Sequence, residues 1–116
     1  MYYYAIDGDD IGRQLEAYVL REEISALYDF SISTRNHLDA IKNYLIDKGC
    51  EIVFCEGDSL LASHKCLIEL PLSLLIRNNL SFSAGIGTGS ALALLALKKA
   101  KGLGKSRVET LLEIIN

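Results

Sequence analysis

Along this chain the spacing of apolar residues switches repeatedly between the two-residue period of a strand and the longer period of a helix, and the order of those switches limits the fold most. The opening run, residues 2–6, is aromatic, apolar and short enough for a buried strand, and the acidic D-G-D-D at 7–10 stops it. From 11 to 47 apolar residues recur at helical spacing, with a possible break around 31–34, which reads as one interrupted helix or two consecutive ones. Gly49 closes that segment as a left-handed cap. Residues 50–63 then read as a β-hairpin whose tip is Glu56, Gly57 and Asp58.

The second half continues the alternation. Residues 67–76 predict a short apolar helix, with Pro71 tolerable only near its first turn or as a kink. Residues 81–87 alternate as a fourth strand carrying Phe82, Ala84 and Ile86. Ser90 is placed to cap a helix over 91–101, and the G-L-G of 102–104 ends it. The tail, 108–115, has no decisive period. The resulting β-α-β-β-α-β-α series is the α+β, ferredoxin-like order with an added C-terminal helix. It predicts one domain over 1–116, built on an antiparallel sheet with its helices packed on one face.

That order has a geometric consequence. If strand one points up, the crossover helix returns down, the hairpin turns at the top, and strand three descends beside strand one. Asp7 and Asp58 then meet at the top edge. The fourth strand also descends, so the helix after it runs upward and delivers Lys101 and Lys105 to the same edge. Two acids suited to a hard cation and two ammonium groups suited to phosphate are the equipment of metal-assisted phosphoryl chemistry. Magnesium, or manganese in its place, asks for one or two protein carboxylates together with substrate phosphates, which Asp7 and Asp58 can supply. Gly8 allows close backbone approach and offers its carbonyl, and Gly57 lets the hairpin tip turn.

Plainer readings exist for each part. Acids beside glycines are common in solvated turns. The cations between Lys98 and Arg107 also suit a helix C-terminus. His37 and His64 have no second His or Cys at ligand spacing and read as surface or partly buried side chains. Tyr2, Tyr3 and Tyr4 read as packing residues of a central strand. Cys50, Cys55 and Cys66, odd in number and without C-x-x-C spacing, read as buried free thiols of a reducing cytosol. A net charge of −3 argues against a broad surface for duplex nucleic acid. No apolar run approaches the ~20 residues that span a bilayer, and no signal peptide is recognisable, so a cytoplasmic protein without a membrane partner is expected.

Three segments together carry a family resemblance: Y-Y-A-I-D-G-D-D-I-G, V-F-C-E-G-D-S-L-L-A, and F-S-A-G-I-G-T-G-S-A-L-A-L-L-A-L-K-K-A-K-G-L-G-K-S-R-V. They resemble, in order and over nearly the whole chain, the palm domains of GGDEF diguanylate cyclases and of the type III CRISPR polymerase subunit. The small size looks most like the minimal CRISPR polymerases. The resemblance implies two-metal nucleotidyl transfer, in which one triphosphate's hydroxyl attacks the α-phosphate of another and pyrophosphate leaves. It further implies a cyclic di- or oligonucleotide signal in antiviral defence, ATP ahead of GTP, and a downstream effector that reads the product. Because two nucleotides must face each other and one chain offers one acid pair, a symmetric homodimer is expected.

By the same resemblance Asp7 matches the first metal-binding aspartate, Gly8 the carbonyl donor and Asp58 the hairpin acid. Lys101 and Lys105 match the triphosphate-binding basic positions. Two departures stand out: Glu56 replaces the first hairpin glycine, and Ser59 stands where many relatives carry a second acid. Asp9 or Asp10 could compensate as ligands, while Asp10 could equally cap the following helix. The alternatives are a class III nucleotidyl cyclase, a GTP cyclohydrolase of the third type, or a catalytically inactive nucleotide-binding palm.

Overall fold

The computed structural model describes residues 1–112, so the tail reading at 113–115 lies outside the described residues. Its elements are β1 (Tyr2–Gly8), α1 (Ile11–Leu20), α2 (Ile24–Asp47), β2 (Glu51–Glu56), β3 (Ser59–His64), α3 (Leu72–Leu75), β4 (Ile76–Arg77), β5 (Leu80–Gly87), α4 (Ser90–Gly102) and β6 (Val108–Leu111). The apolar β1 lies centrally, antiparallel to β3 on one side and to β5 on the other. Strand order is β2-β3-β1-β5-β4, with β6 also pairing with β5. This is the expected α+β, ferredoxin-type palm arrangement, with one correction to its sheet. The sheet is mixed rather than antiparallel, because α4 carries the chain back and β6 then runs parallel to β5.

The helical segments depart from expectation in instructive ways. The break between α1 and α2 falls at 21–23, where Glu22 adopts a left-handed φ of 56°, and not at 31–34. Helix α2 passes through that stretch because the Thr34 hydroxyl donates back to the Phe30 carbonyl at 2.8 Å, satisfying itself inside the helix. Gly49, at φ 91°, ends α2 as expected: its N–H donates to Ile46 O and that of Cys50 to Leu45 O, both at 2.9 Å. The helix expected over 67–76 shrinks to the four residues of α3. Pro71 holds extended backbone immediately before it, and Ile76 leaves directly into β4. Ser90 begins α4 rather than capping it, since Gly89 occupies the cap position and no side-chain cap bond forms.

Alternation along the strands divides the core. Tyr4, Ile6, Leu60, Phe82 and Ile86 face α2 and pack with its Leu38, Ile41 and Leu45. The intervening positions face α4: a Cβ on Gly85 would lie 2.2 Å from Ala93 O and from Leu97 N, so only glycine admits the helix this closely. The helices therefore cover both faces of the sheet, not one. His37, expected at the surface or partly buried, is fully buried on the α2 face, where Nε2 lies 2.8 Å from the Leu74 carbonyl and the ring meets Phe82 edge-on at 4.8 Å. All three cysteines are free, and Cys66 is exposed rather than buried. Among the described residues no helix is long and apolar enough to cross a membrane.

Candidate active site

The upper end of β1 and the tip of the β2–β3 hairpin are locked to each other. Asp7 pairs across the strands with Ser59, whose hydroxyl donates to Asp7 Oδ1 at 2.5 Å. The next residue, Gly8, donates its N–H to the Asp58 carbonyl at 3.0 Å. A Cβ on Gly8 would lie 2.5 Å from Ile11 Cγ1 and 2.9 Å from Asp58 Oδ2, so glycine is what lets the hairpin tip close over the strand. Gly57 makes the two-residue turn possible by taking φ 58°. Asp7 and Asp58 are thereby held side by side. Burial first, and the Asp7 charge second, push the Asp58 carboxyl above its ordinary value.

Beneath this pair lies a buried polar knot. Asp9 is 5% exposed, and both its oxygens are fully engaged. Oδ1 accepts from Ser83 Oγ at 2.8 Å and from Lys101 Nζ at 2.6 Å. Oδ2 accepts from Ser81 Oγ at 2.8 Å and from the Ser106 N–H at 3.0 Å. Burial opposes the charge on Asp9, but the hydrogen bonds from Lys101, Ser83 and Ser81 outweigh it and hold the carboxyl below its ordinary value. Lys101 reaches the knot from α4 and also donates to Gly8 O at 2.8 Å and Asp7 O at 3.1 Å. Two carboxylates, a carbonyl-rich strand end and a lysine from a distant helix thus converge as the topology demanded, and residues 3–111 match the family model of the minimal CRISPR polymerase domain.

The chain belongs to the minimal CRISPR polymerase family. No curated protein matches it. The family is one of CRISPR polymerase-like nucleotidyl transferases, which agrees with the resemblance carried by the three motifs. As a minimal CRISPR polymerase domain it sets its basic residues apart. Lys105 Nζ pairs with Asp10 Oδ1 at 2.5 Å, and Arg13 reaches the same oxygen at 2.9 Å. The Lys105 hydrogen bond is the main reason that the Asp10 carboxyl sits below its ordinary value. Asp10 precedes α1 but makes no side-chain cap bond, and its carboxylate pairs with Lys105 and Arg13 instead.

The sequence-derived set is therefore largely gathered: Asp7, Gly8, Gly57, Asp58, Ser59, Lys101 and Lys105 share one edge. Asp9 joins them but has no free oxygen to offer as a compensating ligand. Sequence reasoning missed Ser81, Ser83 and Ser106. The signal for the first two was present, since polar residues two apart on a buried strand point the same way and need a common partner.

Two cavities flank the acid pair. One of about 660 Å³ runs between α4 and the sheet, with Asp7, Ser59 and Lys101 at one end and Phe54, Leu94 and Leu97 along its walls. Another, of about 290 Å³, meets Gly57 and Asp58 from the α1–α2 side. Among the described residues no group of three or more His, Cys, Asp or Glu side chains forms a ready metal cage. A magnesium ion does not ask for one: two adjacent carboxylates, one of them disfavoured as an anion by burial first and by the other's charge second, are a donor set that fits it.

Proposed function

We propose that this chain is a magnesium-dependent nucleotidyl transferase that condenses nucleoside triphosphates, ATP ahead of GTP, into a cyclic di- or oligonucleotide and releases pyrophosphate. The observation that carries the reading is the Asp7–Asp58 pair, two carboxylates held together across the sheet edge with lysines beside them. Neighbouring like charges make it costly to ionise both carboxyls, and a bound cation would relieve that cost. An ion held by Asp7 and Asp58 would supply charge neutralisation on phosphate and activation of the attacking hydroxyl. Ser59 fixes Asp7 Oδ1 by hydrogen bonding, which leaves Oδ2, 3.3 Å from Lys101 Nζ, as the oxygen that would be offered to the ion. Lys105, whose only acidic partner among the described residues is Asp10, has further N–H donors to offer phosphate oxygens. The apolar cavity ending at Asp7 offers walls against which a base can pack. Two such nucleotides need two such edges, which favours a homodimer with the edges opposed, and the product then serves an effector in antiviral defence.

Incubation with each of the four triphosphates and magnesium, resolved by mass spectrometry, tests the reaction. A cyclic di- or oligonucleotide is expected from ATP, whereas a monocyclic product or an opened purine would replace this reading. Asp7→Ala and Asp58→Ala, each with unchanged circular dichroism, should lower pyrophosphate release by about a thousandfold or more, several kcal/mol of barrier. Near-normal release in both variants would place the metal site elsewhere.

A further inference from the structure

The two lysines that the sequence motif presents as equivalent are engaged in opposite ways. An ammonium group has three N–H donors. On Lys101 these go to Asp9 Oδ1 at 2.6 Å, Gly8 O at 2.8 Å and Asp7 O at 3.1 Å, and a fourth oxygen, Asp7 Oδ2, lies at 3.3 Å. Its side chain is 23% exposed and its main partner, Asp9, 4%. Hard oxygens surrounding one positive centre are what a metal ion receives from a protein. Among the described residues Lys105 has a single acidic partner, shared with Arg13, and its side chain is 32% exposed. Its remaining N–H donors have no partner among the described residues, whereas those of Lys101 are all taken.

We propose that Lys101 is a permanent cation of the carboxylate edge, occupying the place of a second divalent ion, so that each chain itself holds one divalent ion and phosphate is gripped by Lys105. The assignment rests on the metal-dependent reading of this edge and deepens it. Charge supports it: Asp7, Asp9 and Asp58 carry three negative charges and Lys101 one positive, leaving a balance that one divalent ion meets. Asp10 and Lys105 cancel separately. Oxygen supply supports it as well. Ser59 stands where a further acid would extend the donor set, and it occupies Asp7 Oδ1 with its own hydroxyl. Asp9 is saturated by Ser81, Ser83, Ser106 and Lys101. What remains is Asp58 and Asp7 Oδ2, which faces Lys101 at 3.3 Å without a hydrogen bond. Asp9 is then a positioning residue, acting through the lysine it holds.

Titration of the nucleotide-free protein with Mn²⁺, reading the free ion by electron paramagnetic resonance, tests this directly. Wild type should bind one ion per chain. Lys101→Met keeps the aliphatic stem and removes the charge, and should bind two. The pair Asp9→Asn with Lys101→Met restores the charge balance and should return to one. Lys105→Met should still bind one ion but weaken binding of the non-hydrolysable analogue α,β-methylene ATP roughly tenfold, the worth of a charge-assisted hydrogen bond. A wild-type count other than one overturns the assignment. So does a folded Lys101→Met that still binds one ion, or a Lys105→Met with undiminished affinity for the analogue. The ion count is independent of turnover: a chain that binds one ion as described yet condenses no triphosphate would sink the proposed reaction and leave Lys101 where it stands.

Discussion

The two faces of the sheet are held by opposite means. Against α2 the strands present bulk: Tyr4, Ile6 and Phe82 interlock with Ile41 and Leu45, all essentially inaccessible to solvent. Against α4 they present the lack of it, Gly85 and Gly87 meeting the backbone around Ala93 and Leu97. A face built from large side chains can relax around a lost methylene, at the cost of a cavity. One built on backbone contact has nothing that can rotate aside. The difference bears on chemistry because α4, the closely seated helix, is the element that carries Lys101 to the acids.

Gly85→Val is the most severe way to break this comparison. Its branched Cβ would enter the space of the Ala93 carbonyl and the Leu97 amide, and overpacking against backbone exceeds the usual 1 to 3 kcal/mol range. Loss of cooperative folding is expected, seen as the absence of a thermal transition; a folded Gly85→Val would show that α4 can shift.

On the other face Leu45→Ala should cost about 3 kcal/mol, within the range for truncating a buried leucine, while leaving α4 and the acid edge in place. Urea unfolding should show the lower midpoint, and pyrophosphate release measured well below that midpoint should match wild type. A proportional loss of activity would mean that the two faces are not independent.

The smallest effect concerns His37. Burial first, and the nearby Arg77 charge after the opposing Leu74 hydrogen bond, lower its folded pKa below the 6.5 of a free imidazole. The unfolded chain then takes up the proton first as pH falls, so the native state keeps its full stability above the unfolded value and loses it progressively below. The urea midpoint should fall between about pH 7 and about pH 5, and His37→Phe should lessen the slope. An unaltered slope would assign the loss to other groups.

Legibility in the sequence followed punctuation. β1, the hairpin, β5 and α4 were readable because acids, Gly49, Gly57 and the 102–104 glycines bracket clear periods, and the convergence of Asp7, Asp58, Lys101 and Lys105 followed from their order. The α1–α2 break was not, because Arg21, Glu22 and Glu23 include no glycine or proline and the left-handed turn falls on a glutamate. Strand β6 escaped because four residues, V-E-T-L, carry too short a period, and its parallel pairing depends on β5 far away in sequence. The saturation of Asp9 was hidden for a similar reason: its partners Ser81, Ser83, Lys101 and Ser106 come from three separate segments, and only the fold brings them within one carboxylate's reach.

Strand β2 forms one border of the sheet, and its pairing with β3 shifts register between Ile52 and Phe54. That irregularity, with Glu51 and Glu56 at the two ends, has a colloidal consequence. A straight apolar border would template further strands and lead to fibres, whereas a bent one flanked by acids breaks the row of amides and carbonyls a newcomer must match. Val53, 54% exposed at the bend, can therefore remain in water without recruiting neighbours.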